Sequence, residues 1–357
     1  MLLFVFALLI LIGLTIRPRL KIAEYLPIAF LCLIKLLAQD APDFSSYEKV
    51  YNWIGTGAEY HDTGVGWYYL CKIGNWFSLD YRYFSTIVFA ICLLIINKTI
   101  KTFIPKYKYR LFVWTLYLVF PALLDAVQIR FFVAEAIVLL GLPLLIKKKV
   151  YGYFVYACLC LFAALFHSSG IFYILFLLGP LLHKIQKYLV GFVILMTVIM
   201  IVGKGFIYQI ASQYLNGLRI ERYLQSVDSV GPFGVVAYTF TLLLFWVIAR
   251  YFEKKMVEMT DGNTDHKIVD LFYQMSVIIW LVVPLTFFDT NFFRIQRPMW
   301  LMLYILCISM INCNQKVVKI GRLPAVRTKT LTWLISLYGL VFYICVFNFD
   351  VINSFLL

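Results

Sequence analysis

The stretch DAVQIRFFVAEAIVLLGLPLLI, residues 125–146, decides the fold. From Ile129 onward it is about as long as a helix needs to be to cross a hydrocarbon core. Its residues do not alternate polar and apolar, as the strands of a membrane barrel would, and neither does FVILMTVIMIV at 192–202. Lipid offers the backbone no hydrogen bonds, so runs of this kind read as helices. Yet this one opens on Arg130 and carries Glu135, with no lysine beside either. That polar mouth on an apolar run is the feature any account of function must explain.

The rest of the chain has the same character. Of its 357 residues 63% are hydrophobic and only 14% are charged, against about 25% in a soluble domain, which excludes an ordinary globular protein. The expected fold class is all-α, a polytopic membrane protein. Its spans are predicted near 3–16, 22–38, 82–97, 111–124, 130–146, 151–166, 168–182, 187–203, 231–250, 268–288, 297–313 and 330–348, twelve in all. No connection is long enough to fold by itself, so residues 1–357 are expected to form one integral membrane domain. Outer loops at 39–81 and 204–230 are its substrate-side additions.

The net charge of +14 would suggest nucleic acid in a soluble protein; here it reports topology. If RPRLK at 17–21 is cytoplasmic, alternate connections hold 22 of the 32 Lys and Arg residues, and both termini face outward by the positive-inside rule. The first span has no basic residue ahead of it and no small-residue cleavage site, so it reads as a retained anchor. The eight cysteines form no C-x-x-C pair and no metal-ligand or disulfide framework, and they read as small apolar fillers.

Familiar nucleotide and hydrolase signatures are absent: no Walker A, G-x-G-x-x-G, G-x-S-x-G, H-E-x-x-H or D-x-D occurs. The expectation is therefore no cofactor, no metal and no nucleic acid partner, with substrates that arrive through the membrane. No internal repeat or inverted half-symmetry is evident, which counts against many transporters.

What polar chemistry there is collects at the expected outer ends of spans: Asp125, Gln128 and Arg130, then His167, then Asp289, Arg294 and Arg297. Polar residues at membrane depth are costly and mark function when they face a bundle interior. Arg130 either snorkels to lipid phosphate or binds a substrate anion. Arg130 and Glu135, five apart, point about 140° from each other on a helix and are not a favoured pair, so Glu135 is expected to bond a neighbouring helix. Arg294 and Arg297 are three apart, and Pro298 places Arg297 at a helix start, where free N–H groups and the dipole also favour an anion. A phosphate or pyrophosphate fits the guanidinium fork, with headgroup snorkelling as the alternative. His167 ends one apolar run, and Ser168 or Ser169 can cap the next, so it lies at a tight hairpin as either a proton-transfer group or a structural residue. Residues 64–79 of the first outer loop alternate glycine and aromatics and could lie in the interface.

These same residues carry a family resemblance. The stretch QIRFFVAEAIVLLGLPLLIKKKVYGYFVYACLCLFAALFHSSGIFYIL resembles the central signature of the EpsG-like polysaccharide polymerases. That signature runs from an arginine opening a span, through a basic turn, to A-x-L-F-H-x-S at the end of the next. DFSSYEKVYNWI with DTGVGWYYL resembles that family's outer-loop elements, and NFFRIQRPMWLMLYIL its late arginine-bearing span. The family usually reads R-Q-x-x-A where this chain has R-F-F-V-A, with Gln128 ahead of the arginine.

The resemblance implies a Wzy-type polymerase with a GT-C-like polymerase/ligase architecture. Such a protein joins undecaprenyl-pyrophosphate-linked oligosaccharide repeat units into capsule, exopolysaccharide or O-antigen at the outer face of the bacterial cytoplasmic membrane. A chain-length regulator and a flippase are its implied partners, beside membrane lipids. On that reading Arg130, Arg294 and Arg297 grip the donor pyrophosphate, with Arg219 and Arg222 for the second lipid. His167 is the general base, with Asp62 and Asp289 as rivals or as its orienting partner. Tyr47, Trp53, Trp67, Tyr68 and Gln128 meet sugars. Two other classes compete: a lipid-linked oligosaccharide flippase, which would need charges along a central cavity, and a glycan-modifying acyltransferase.

Overall fold

The computed structural model describes residues 24–37, 43–57, 64–147, 149–203, 206, 232–257, 264–287, 290–316, 333–339 and 341. The expected span 3–16, nearly all of the loop 204–230 and most of 330–348 lie outside them. Among the described residues every regular element is helical. Five segments of the described residues are long and apolar enough to cross a membrane: Tyr81–Phe103, Ile129–Ile146, Lys184–Val202, Val236–Lys254 and His266–Thr286. The chain folds as two compact units, one from 1–174 with 300–357 and one from 175–299.

The first unit contains α1 (Leu26–Leu37), α2 (Phe44–Gly55), α3 (Val65–Trp76), α4 (Tyr81–Phe103), α5 (Tyr107–Val119), α6 (Ala122–Val127), α7 (Ile129–Ile146) and α8 (Val150–Phe166). In α4 the buried residues Phe84, Val88, Cys92, Ile96, Ile100 and Phe103 recur at three or four positions and make one continuous face. Asn97 on the neighbouring row accepts a hydrogen bond from Trp114 Nε1 at 3.1 Å, which ties α4 to α5.

α7 packs against both α4 and α8 and is buried almost all round. Glycines permit the approach to α8. A methyl group on Gly141 would lie 2.7 Å from Tyr156 Cδ2, and one on Gly152 would lie 2.8 Å from the Leu144 carbonyl oxygen. Small residues are what lets membrane helices close to this range.

One expected span, 111–124, is two helices. α5 ends at Val119, Phe120 is extended, and α6 begins after Pro121. Proline disfavours helical geometry at the residue before it and donates no backbone hydrogen bond, so the break falls there. The short α6 then returns Asp125 to Tyr117, whose hydroxyl donates to Asp125 Oδ2 at 2.5 Å.

The segment Ser168–Leu181 is a 3-10 helix. In that geometry residues three apart eclipse, and burial follows the same period: Gly170, Tyr173, Phe176, Gly179 and Leu182 are all buried. The two glycines sit at tight contacts. A methyl group on Gly170 would meet Ala164 N at 2.5 Å, and one on Gly179 would meet Gln274 Oε1 at 2.2 Å.

The second unit holds α9 (Leu182–Val202), α10 (Pro232–Val257), α11 (Thr264–Ile278) and the 3-10 segments Ile279–Phe287 and Thr290–Gln296. α10 packs on α11, and α9 packs on Ile279–Phe287. α12 (Arg297–Lys316) begins in this unit and continues in the first.

Just ahead of α1, Glu24 ties three elements together, pairing with Arg110 at 2.6 Å and Lys101 at 2.8 Å. Burial alone would raise its carboxyl, but the hydrogen bonds from Lys101 and Arg110 outweigh that and hold it below the usual carboxylate range. A depressed folded value means the contribution is present above the ordinary value of 4.5 and is lost as pH falls through the folded one. Glu24→Gln is therefore expected to cost about 1–3 kcal/mol of unfolding stability at neutral pH, less than a fully buried pair because Lys101 is partly exposed. The gap between variant and wild type should close on acidification, as read by denaturant unfolding in detergent at a series of pH values; a gap constant down to acid pH would rule the pairing out as its source.

Candidate functional site

In the first unit three elements bring the polar residues to one place: the start of α7, the end of α8 and the amphipathic α3. α8 stops at His167, whose backbone is extended and whose N–H still reaches Ala163 O at 3.1 Å. The imidazole meets the edge of Phe131, centroid to centroid 5.4 Å, so the ring stands beside the residue that follows Arg130.

α3 closes on the end of α8 through its first residues. A methyl group on Gly64 would lie 2.3 Å from the Leu165 carbonyl oxygen, and one on Gly66 would lie 3.1 Å from Leu165 Cβ. Only glycine tolerates that approach. α3 faces inward with Trp67, Cys71 and Gly74 and outward with Val65, Tyr69, Ile73 and Trp76, the last of these 80% exposed. A helix of this length with an exposed aromatic stripe suits the membrane interface rather than a crossing.

Burial pushes the Cys71 thiol up to about 12, and the Arg130 charge pulls the other way. Arg130 itself is half-buried, and its buried Nε has no hydrogen-bond partner among the described residues. A guanidinium N–H without an acceptor is costly inside a protein, and an incoming anion would supply one. Gln128, half-buried, is the residue from which α7 springs. Glu135 is deeply buried on the same helix.

The His167 ring is held by Ser169. Its Nδ1 lies 2.8 Å from Ser169 Oγ and accepts the Ser169 backbone N–H at 3.3 Å. With Nδ1 accepting that N–H, a neutral ring would carry its proton on Nε2 and turn that donor away from Ser169.

The aromatic residues divide by burial. Trp67 is fully buried, its ring 6.1 Å from that of Tyr47 and 5.9 Å from that of Phe84, which leaves it no open face for a sugar. Trp53 is exposed, while Tyr47 and Tyr68 are half-buried, with Lys72 Nζ 4.8 Å from the Tyr68 centroid.

In the second unit Arg297 is the first residue of α12 and is buried, and Arg294 lies one 3-10 turn before it. Between them Gln296 is buried, with Oε1 lacking a hydrogen-bond partner among the described residues. Asp62, Asp289, Arg219 and Arg222 lie outside the described residues. Sequence reading passed over Ser169 as anything but a cap, took Cys71 for a filler and did not single out Gln296. Ser169 gains meaning only from its contact with the His167 ring two residues back, and Cys71 only from the charge of Arg130, whereas Gln296 could have been noticed as a polar residue between two arginines at a span start.

The first unit thus places an arginine and a histidine at one end of two apolar helices of a membrane protein. A model of the EpsG family matches residues 21–355, nearly the whole chain, while no curated protein and no solved structure matches. The chain belongs to the EpsG family, whose members are Wzy-like polymerases, and it is a polysaccharide-polymerase-like membrane protein.

The Gly64 contact can be tested directly. Gly64→Ala should lift α3 off the end of α8 and raise the rate of maleimide labelling at buried Cys71 by about tenfold, read by peptide mass mapping in a Cys158→Ser background, because Cys158 is exposed. Unchanged protection of Cys71 would mean that α3 is not seated through this glycine.

Proposed function

We propose that this protein joins undecaprenyl-pyrophosphate-linked oligosaccharide repeat units into a surface polysaccharide, such as capsule, exopolysaccharide or O-antigen, at the outer face of the bacterial cytoplasmic membrane. The observation that carries this reading is Arg130, whose buried Nε awaits an acceptor beside the His167 turn. Family membership supplies the reaction class.

In the proposed reaction the bond from the donor sugar's anomeric carbon to the pyrophosphate oxygen breaks. A bond forms to a hydroxyl oxygen of the acceptor repeat unit, that hydroxyl gives up its proton, and undecaprenyl pyrophosphate leaves with the electron pair. Negative charge grows on the leaving oxygen, so fixed guanidinium donors aimed at it lower the barrier, without a metal ion in this scheme. Arg130 is assigned that role in the first unit. Arg294 and Arg297 are assigned to lipid pyrophosphate in the second, with Arg219 and Arg222 for the other lipid.

His167 is better suited to donate than to accept. With Nδ1 held by Ser169, its Nε2–H can bond a phosphate oxygen or the leaving oxygen. The base that takes the acceptor's proton then falls to a carboxylate, with Asp62 and Asp289 as the candidates. Trp53, Tyr68 and Gln128 offer surface to sugars, and Tyr47 and Trp67 stand behind them.

The test is polymer formation by purified protein on synthetic undecaprenyl-pyrophosphate repeat units in EDTA. Arg130→Lys and Arg297→Lys keep the charge and lose the fork, and each should lower the rate about a hundredfold with folding retained. If wild type makes no polymer while proteoliposomes translocate the same lipid, the chain is a flippase and this reading is wrong. For His167, the Gln variant keeps an N–H donor and should retain several-fold more activity than His167→Ala; equal losses would restore a base role to the ring.

A further inference from the structure

A second polar feature lies at the other end of the first unit. α4 has 23 residues, about 34 Å at helical rise, enough to pass from one side of a hydrocarbon core to the other. Its first turns meet α2 and α3, with Phe84 stacked on Tyr51 at 4.8 Å, and its Phe89 meets Phe132 of α7 at 5.1 Å. The candidate site is therefore at the Tyr81 end.

At the Phe103 end a cavity of about 440 Å³ is lined by Pro105, Lys106, Tyr107, Lys108 and Arg110. Arg110 serves as its frame: it pairs with Glu24 at 2.6 Å and donates to the carbonyl oxygens of Ile104 and Pro105. The carboxylate of Glu24 is already shared with Lys101. Lys106 and Lys108 are exposed, their ammonium groups 5.8 Å and 4.8 Å from the centroid of the Tyr109 ring. The cavity thus presents two lysines at the start of α5, and among the described residues the carboxylate beside it, Glu24, is spent on other cations.

We propose that this cavity binds the phosphate of an anionic phospholipid headgroup, on the membrane face opposite the candidate site. A phosphate diester brings the charge that the lysines lack. Its acyl chains would run along the apolar helices that rise from the loop, so the lipid is held by both ends of its chemistry. The loop is one of the basic connections that the positive-inside rule assigns to the cytoplasm, where anionic lipid is abundant.

The experiment uses the full chain in phosphatidylcholine bilayers doped with spin-labelled phosphatidylglycerol, with the motionally restricted lipid read by electron spin resonance. Lys106→Glu with Lys108→Glu should lower the relative affinity for phosphatidylglycerol about tenfold, and the pair of Gln variants should fall between it and wild type. Lys184→Glu with Lys187→Glu, exposed lysines in the first turns of α9, should leave it unchanged. Equal losses in the two Glu doubles would show diffuse surface charge and overturn the site, as would no loss in the first. Displacement of the lipid by millimolar inorganic phosphate would show a free-phosphate site and overturn the headgroup assignment.

Discussion

A helix enclosed on every side can meet water or a headgroup only at its ends, and α7 is that helix here. Taking an ion out of water costs several kcal/mol even after the protein relaxes, so a charge on such a helix belongs at a mouth or needs a purpose within. Arg130 is at the mouth, half-buried, and the basic turn that begins at Lys147 is at the other end. Everything else near the site is placed by what packs against α7: α8 through Gly141 and Gly152, α4 through Phe89, and the His167 ring through Phe131.

α3 occupies a different position in this scheme. Its inner face carries Cys71, whose thiol feels the Arg130 charge, and its outer face is apolar and aromatic, which suits the surface of a bilayer. Gly64 and Gly66 then set how near it comes to the end of α8. The approach of α3 to the end of α8 therefore depends on two missing side chains.

Much of this was legible in the residues alone. The apolar runs at 130–146 and 151–166 are α7 and α8 to within a residue at each end, because charges or a glycine-serine turn bound them sharply. A helix within residues 64–79 and the stop of α8 at His167 were readable for the same reason. The break at Phe120 was not drawn, although Pro121 signals it, since hydropathy runs on unchanged through the bend. Nor was the burial of Trp67, because glycine-aromatic alternation does not say which ring turns inward. Ser169 and Cys71 take on meaning only in the folded chain: Ser169 turns its hydroxyl and its N–H to the ring of His167 two residues back, and the Cys71 thiol feels the charge of Arg130.

The period-three burial of Ser168–Leu181 also bears on reach. A 3-10 helix climbs about 2.0 Å per residue against about 1.5 Å for an α-helix, so its 14 residues extend about 28 Å where an α-helix of equal length would extend about 21 Å. That is close to the thickness of a hydrocarbon core. A stretch too short to span by the α-helical yardstick thus gains about a third in length from its tighter winding.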